Sequence, residues 1–578
     1  MMKKFFRTLA FFLIFTIFFT SCKKNVTGSF QGKAKGHNGD VVIDVDIENS
    51  KIKNVSLKES VETEDVGAIA INKLIEKVNS SDFNLDIVTG ATYSSEAFIS
   101  AFADALKKAG LNYKNYLKKD VQITKRDEKK EMDVDVVVVG SGGAGLISAI
   151  KAKENGKKVV VLEKLPIIGG NTLISGAEYA APQNWLQDKE NIKDSVELFE
   201  KDVEKAGGNK ELIKVLATNA LDGAKWLRDD VGVEWMDHLM FFGGHSVKRS
   251  LIPKGQSGKE LINKLSDKCS KLGIDILTET NCYELIFEDN KVKGVKANIK
   301  TGQLTVNAKS VILATGGFGA NKKMLYENDK EIDDKILSTN QPGSTGDGII
   351  MAQKIGADVV DMDKIQLYPI CDVQTGKLLY TADTRLTTGA ILVNKQGNRF
   401  VEELDTRRKI SMAIKEQQDS TAYQIWDEDS MQKSKVLQDH KIEYDNLIEN
   451  KKMIKANSIE EIADFFDLDK ENLKKTIEKF NKDSENGKDT LFNLRRLGFK
   501  IEKAPFYCLK AVPAVHHTMG GLKINKEAKV LNTKAQEIDG LFAAGEVTGG
   551  IHGNNRLGSV SIADITVFGI IAGTNASK

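Results

Sequence analysis

Cysteine is scarce in this chain. Five occur in 578 residues, with no C-x-x-C pair and no C-x-x-C-H signature. That spacing supports neither a thiolate metal site nor a c-type haem, so no metal is expected. Cys269, Cys282, Cys371 and Cys508 read as isolated buried thiols. Net charge is nearly absent as well: 83 basic against 81 acidic residues leave +2, whereas a nucleic-acid binder needs a basic surface. Repeats and low-complexity tracts are lacking, and 41% apolar with 28% charged residues implies no large disordered fraction. A chain of this length outgrows a single core and predicts roughly two to four domains.

One apolar run stands at the N-terminus. MMKKFFR is a basic leader, TLAFFLIFTIFF a short apolar core, and TSC follows. The run has the shape of a secretory signal rather than a spanning helix. A cysteine directly after small residues resembles a lipoprotein signal over residues 1–21, with Cys22 as the lipid-bearing first residue of the mature chain. Phe19 departs from that pattern, which usually has an aliphatic residue there. Plain secretion and an uncleaved anchor are the alternatives. The leading expectation is a protein lipid-anchored to a membrane outside the cytoplasm, in the periplasm or at the cell surface.

Residues 28–57 alternate apolar and polar positions and predict a β-hairpin; a helical pattern over 66–79 follows. Next comes DIVTGATYSS, residues 86–95, and then the helix-like EAFISAFADALKKA. So many small hydroxyl residues read either as a helix N-cap or as a place where a hydroxyl carries a group. Together these segments predict a small α+β domain over 22–120. A charged linker over 121–132 follows.

DVDVVVVGSGGAGLISAIKAKENGKKVVVLEK then changes the style. It reads as a buried strand, a turn with Gly140, Gly142 and Gly145 (Gly143 and Ala144 between them), a helix, and a second buried strand closed by Glu163. A lone G-x-G-x-x-G is weak, but strand, helix and acid all stand where a dinucleotide site needs them. The glycines let amides at a helix N-terminus approach a pyrophosphate, and the acid can accept ribose hydroxyls. No second fingerprint offers NADH a place. KSVILATGGFGAN, 309–321, is a strand running into another Gly-rich turn at Ala314, Thr315, Gly316 and Gly317, and GLFAAGEVTGG, 540–550, is a strand ending on Glu546.

Those segments, with GAILVNKQGNRFVEELDTR, VHHTMGG and IHGNNRLGSVSIAD, resemble the flavocytochrome c and soluble fumarate reductase family of FAD-dependent 2-enoate reductases over about residues 133–575. The resemblance implies an α/β FAD-binding domain, Rossmann-like and of the GR2 type. It would be built from 133–362 and 506–578, with an inserted, mobile α+β capping domain over 363–505. It implies FAD contacts from the turns above and from Lys164, Gly170, Asn171, Thr172, Asp347, His517, Ser561 and Ile562. Arg556 matches the family's carboxylate-gripping arginine, His516 the histidine that helps it, and Arg407 the proton-donating arginine. A planar guanidinium suits a bidentate carboxylate grip.

The far end of the substrate is expected to differ from a fumarate site. Tyr368 stands where the resemblance implies a histidine, and Ala382 where it implies a threonine, with Asp383 next to it. An anion without those two partners is hostile to a dianion. A flat ring suits Tyr368 and a ring N–H suits Asp383, so urocanate is the expected substrate. Fumarate, an acrylate-type enoate, or a flavin-bearing electron-carrier lipoprotein with no reductase activity are the alternatives. The relay arginine that the family has three residues after its acid is Leu386 here, and Arg385 is its neighbour.

The same family often carries a small FMN-binding domain, and Asp86, Thr89, Gly90, Ala91 and Thr92 match its attachment signature. Thr92 is the implied covalent FMN site and Ser95 the alternative. The implied partners are a membrane-bound electron donor, such as a quinol dehydrogenase or cytochrome, and a flavin transferase for maturation.

Overall fold

The computed structural model describes residues 25–35, 40–60, 67–83, 85, 92–113, 116, 131–299 and 302–578. The chain divides into two compact units, 1–128 and 129–578. Cys22, Asp86, Thr89, Gly90 and Ala91 lie outside the described residues, as does the Thr92 side chain.

In the first unit, strands β1 (Gly28–Lys35), β2 (Asp40–Glu48) and β3 (Lys51–Glu59) form an antiparallel sheet in that order. The sequence predicts one hairpin here, and the structure adds a strand. Glu48-Asn49-Ser50 makes a tight turn, with Asn49 and Ser50 both in the left-handed region at φ 52° and 58°. Two such residues fit the right-handed twist of a two-residue hairpin. Helices α1 (Gly67–Asn79) and α2 (Thr92–Lys108) cover one face. The core joins Val41, Ile43 and Val45 of β2 to Phe98 and Phe102 of α2.

The second unit opens on β4 (Glu131–Val139), α3 (Gly143–Glu154) and β5 (Val159–Leu162). Glu131 and Met132, read from the sequence as linker, already pair with Thr305 and Val306. Further strands are β6 (Asp275–Leu277), β7 (Asn281–Glu288), β8 (Lys291–Ile299) and β9 (Gly302–Leu313). In the capping region come β10 (Ile365–Cys371), β11 (Ile391–Val393), α4 (Arg407–Lys415), β12 (Ala422–Trp426) and β13 (Met453–Ala456). The chain ends with β14 (Phe506–Thr518), β15 (Glu537–Ala543) and α5 (Val560–Asn575).

The large sheet runs β7-β8-β15-β9-β4-β5-β6. The run from β15 through β9, β4 and β5 to the edge strand β6 is parallel. Covered on both faces, such strands need continuous apolar runs, and Val136–Val139 and Val159–Leu162 are buried throughout. The second sheet is built on β14, which pairs antiparallel with β10, β12 and β13. The sequence assigns all of 506–518 to the flavin-binding part. In the structure β14 pairs with strands of the capping region along its whole length, β12 and β13 at Phe506–Ala511 and β10 at Val512–Thr518, while Ala514 and Val515 also pair with Leu337 and Ser338 of the flavin-binding part. One strand therefore belongs to both parts, and it delivers His516 and His517 to the junction.

Candidate active site

The dinucleotide cradle follows from backbone geometry. Gly140 has φ 104°, and a Cβ there would stand 2.3 Å from the Ala314 carbonyl. A Cβ on Gly145 would stand 2.0 Å from the Gly140 carbonyl. These two glycines are needed for packing. Gly142 is different: its Cβ position meets nothing nearer than the Gly169 carbonyl at 3.9 Å, so open space flanks the turn where a ligand backbone can approach. Thr172 Oγ1 accepts from Gly143 N at 3.2 Å, which joins the segment beginning at Gly170 to the turn. Glu163, at the end of β5, accepts from Ser141 N at 3.0 Å and Leu165 N at 2.8 Å. Lys164 donates to Asp347 at 2.6 Å.

At the far end of the cradle, Asn171 donates to Glu546 at 3.3 Å, and Thr518 N donates to the other Glu546 oxygen at 3.0 Å. Burial raises the Glu546 pKa. His517 Nδ1 lies 3.6 Å from Glu546. Its Nε2 is buried with no protein partner among the described residues, as is Thr315 Oγ1, next to Ala314 and the Gly316–Gly317 turn. Ser561 and Ile562 stand in the first turn of α5, where free amides favour the electron-rich end of a ligand. Open space at Gly142, buried orphan polar atoms and a helix N-terminus fit FAD. Gly145→Val is expected to yield protein purified largely without FAD, since the new side chain collides with backbone. Flavin absorbance per polypeptide measures it.

Beyond the cradle, Arg556 and Arg407 converge on one residue that the sequence reading passed over. The Gln366 Oε1 accepts from Arg556 Nη2 at 3.0 Å and from Arg407 Nη1 at 3.2 Å. Its amide nitrogen donates to the Asn555 side chain and to the Arg556 carbonyl, both at 2.9 Å. Arg556 is 7% exposed, and burial together with the Arg407 charge pushes its pKa down to about 9. It is still a cation at neutral pH. Two guanidinium groups around one neutral acceptor make a ready carboxylate grip.

Tyr368 is the wall between the two ends. The Arg407 guanidinium lies 4.9 Å from the centre of its ring, and the His516 ring lies 5.5 Å away. Its hydroxyl donates to Asp383 at 2.9 Å. Burial and the Asp383 charge raise the Tyr368 pKa well above the usual phenol range, so it remains a neutral donor. Burial, then the charges of Arg556 and Arg407, hold His516 well below the ordinary histidine range. It is a neutral ring, with Thr339 Oγ1 3.1 Å from Nδ1.

Burial also raises the Asp383 pKa. A second acid, Glu178, was not anticipated; burial and then the Asp383 charge raise its pKa, while Arg556 and Arg407 pull it down. Its only sequence signal is a charge within the otherwise small and apolar GAEYAA.

Leu386 is 39% exposed. Arg385 is instead 4% exposed, donates to the Glu403 carbonyl, and feels the charges of Asp383, Glu403 and Arg407. The structure thus puts Arg385 in the acid's neighbourhood.

Residues 135–562 match the FAD-binding domain family and residues 36–107 the FMN-binding domain family. The urocanate reductase of Eggerthella lenta is 43% identical over 557 residues, 95% of this chain and 92% of that protein. The fumarate reductase (cytochrome) of Shewanella frigidimarina is 39% identical over 452 residues, 77% of each chain. A solved structure of the open conformation of a flavocytochrome c3 fumarate reductase aligns with a TM-score of 0.70 at 37% identity, over 78% of this chain and 79% of that one. Fold, cradle and slot define a flavin-dependent oxidoreductase acting on a carbon–carbon double bond, with FAD and a covalent FMN as cofactors. The chain belongs to the flavocytochrome c and soluble fumarate reductase family, and it is a 2-enoate reductase.

Proposed function

We propose that the chain is a urocanate reductase, making imidazole propionate with urocanate as electron acceptor. One observation carries the substrate: the Tyr368 hydroxyl donates to Asp383, so a flat ring and an acid are held together beside the arginine pair. The propenoate tail goes to Arg556 and His516. The imidazole lies along Tyr368 and meets Asp383 and Glu178. A dianion would put its second carboxylate against these acids.

Bound FAD would supply the hydride to the carbon β to the carboxylate. Arg407 donates the proton to the α carbon, and Arg556 offsets charge growing on the carboxylate. Arg385, within electrostatic reach of both Asp383 and Arg407, re-supplies Arg407 in place of the residue at 386. The cap excludes water from the slot. Anaerobic oxidation of a reduced dye tests the substrate: urocanate is expected to be reduced briskly and fumarate slowly. The reverse order overturns the assignment.

The first unit is the electron entry, with Thr92 bearing FMN through a phosphoester and a membrane-bound quinol dehydrogenase or cytochrome as donor. A flavin transferase installs the group, and lipid on Cys22 holds the protein at the outer face of a membrane. Support comes from the signature around Thr92 and from the single dinucleotide fingerprint. No described helix is long and apolar enough to cross a membrane. Thr92→Ala is expected to lose in-gel flavin fluorescence and donor-driven turnover while keeping dye-driven activity. Retained fluorescence would move the attachment to another hydroxyl, Ser95 first.

A further inference from the structure

Helix α4 begins at Arg407, and its inner stripe, Ile410 and Ile414, is buried in the cap's core. Met412 packs instead against the core of the flavin-binding part. The helix therefore lies on the seam. Arg408 and Lys415 are seven residues apart, close to two turns, and so share one stripe.

Both reach the same acidic segment, which follows the helix Lys322–Asn328 of the flavin-binding part. Arg408 pairs with Asp329 at 2.7 Å and with Glu331 at 2.5 Å. Lys415 pairs with Asp333 at 3.0 Å and donates to the Glu331 carbonyl at 2.5 Å. The Lys415 and Asp329 side chains are 14% and 10% exposed, while their partners Asp333 and Arg408 are 41% and 38% exposed, so each tie stays open to solvent and ions on one side. Just beyond the acidic segment, Leu337 and Ser338 pair with Ala514 and Val515 of β14, directly before His516. The acidic segment is thus anchored to the strand that carries the slot's histidine.

We infer that Arg408 and Lys415 are positioning residues: they pin both ends of α4 to the acidic segment 329–333 and so fix Arg407 over the slot. A single exposed ion pair stabilises little. Two ties at opposite ends of one stiff helix do something else, because they remove its freedom to tilt or rotate. A proton donor misplaced by about 1 Å can lose on the order of 10²-fold in rate. The stripe has no other part in the slot, which is built by Arg407, Gln366, Tyr368, Asp383 and Arg556.

The inference rests on Arg407 acting as proton donor, and the test separates the two. The full-length holoprotein is compared with Arg408→Gln/Lys415→Gln under anaerobic dye oxidation, at low and high salt, and by amide hydrogen exchange over 407–415. The double variant is expected to keep its flavins and melting temperature and to lose about tenfold in kcat, with KM changed less than about threefold. Its α4 amides exchange faster. Added salt lowers parental kcat toward the variant's value and leaves the variant unchanged, because salt screens the same pairs. Arg408→Lys recovers most of the rate. The charge exchange Arg408→Glu with Asp329→Arg and Glu331→Arg recovers part of what Arg408→Glu alone loses. Unchanged kcat, salt response and α4 exchange in the double variant overturn the clamp. An Arg407→Ala protein that still turns over overturns the donor role instead, while faster α4 exchange in the double variant still supports the clamp.

Discussion

Arg407→Ala is expected to lower urocanate turnover by on the order of 10³-fold or more, while FAD stays bound. A positioned acid is worth about 10²- to 10⁴-fold, and in the proposed mechanism Arg407 is that acid. The guanidinium shares Gln366 with Arg556 and lies over the Tyr368 ring, so no neighbouring side chain can move into its place without breaking that arrangement. FAD retention follows from distance in the fold: the cradle is made by β4, β5, β9 and the start of α5, and Arg407 stands on α4 of the cap. The loss should fall on kcat more than on KM. Arg407 is one of the causes depressing the Arg556 pKa, and removing it leaves Arg556 more firmly cationic and still able to hold the substrate. Arg407→Lys keeps charge but loses the fork and should recover little. The check is single-turnover reoxidation of the photoreduced flavin on mixing with urocanate. Residual turnover above about a tenth of the parent's would place the proton donor elsewhere.

How far the sequence reached depended on how strongly chemistry constrains each residue. The Gly140–Gly145 turn was legible because backbone packing and a pyrophosphate both demand glycine at fixed spacing. Arg407, His516 and Arg556 were legible only within long matching phrases. Gln366 was invisible for a physical reason: a neutral amide in the apolar strand IQLYPIC carries no signal of its own, and its function appears only when two guanidinium groups converge on it. Glu178 was missed in a similar way, since one acid in a short apolar stretch reads as a surface position until the fold turns it inward. Periodicity could not show that β14 serves two sheets, because all but two of its residues are buried and both faces look alike. Arg385 was foreseen only as a neighbour of Leu386; helix geometry at 384–387 turns one side chain in and the other out.

Asp383→Asn is expected to cost urocanate about 10- to 10²-fold in kcat/KM and to leave fumarate unchanged or better used. Hydrogen bonds to a charged group contribute about 1.5–3 kcal/mol, and an unmatched donor costs at least as much. The Tyr368 hydroxyl can still donate to the new amide oxygen, so the wall of the slot survives. What changes is charge. Burial raises the pKa of both Asp383 and Glu178, and the Asp383 charge adds to the rise at Glu178. Acids whose charge burial disfavours in this way favour a proton, or a cation, beside them. An imidazole meets that demand with its N–H, and as the imidazolium with its charge; the second carboxylate of fumarate adds a third negative group. Removing the Asp383 charge weakens the attraction for the ring and the repulsion of the diacid together, so the ratio of the two substrates moves further than either rate. The pH response has a definite sign. As pH falls through the raised carboxyl pKa values, the acids gain protons and fumarate should gain on urocanate; as pH rises, the discrimination sharpens. Parallel kcat/KM profiles for the two substrates, parent against Asp383→Asn, measure both effects. Equal losses on the two substrates would mean that Asp383 holds the cap in shape and does not read the ring.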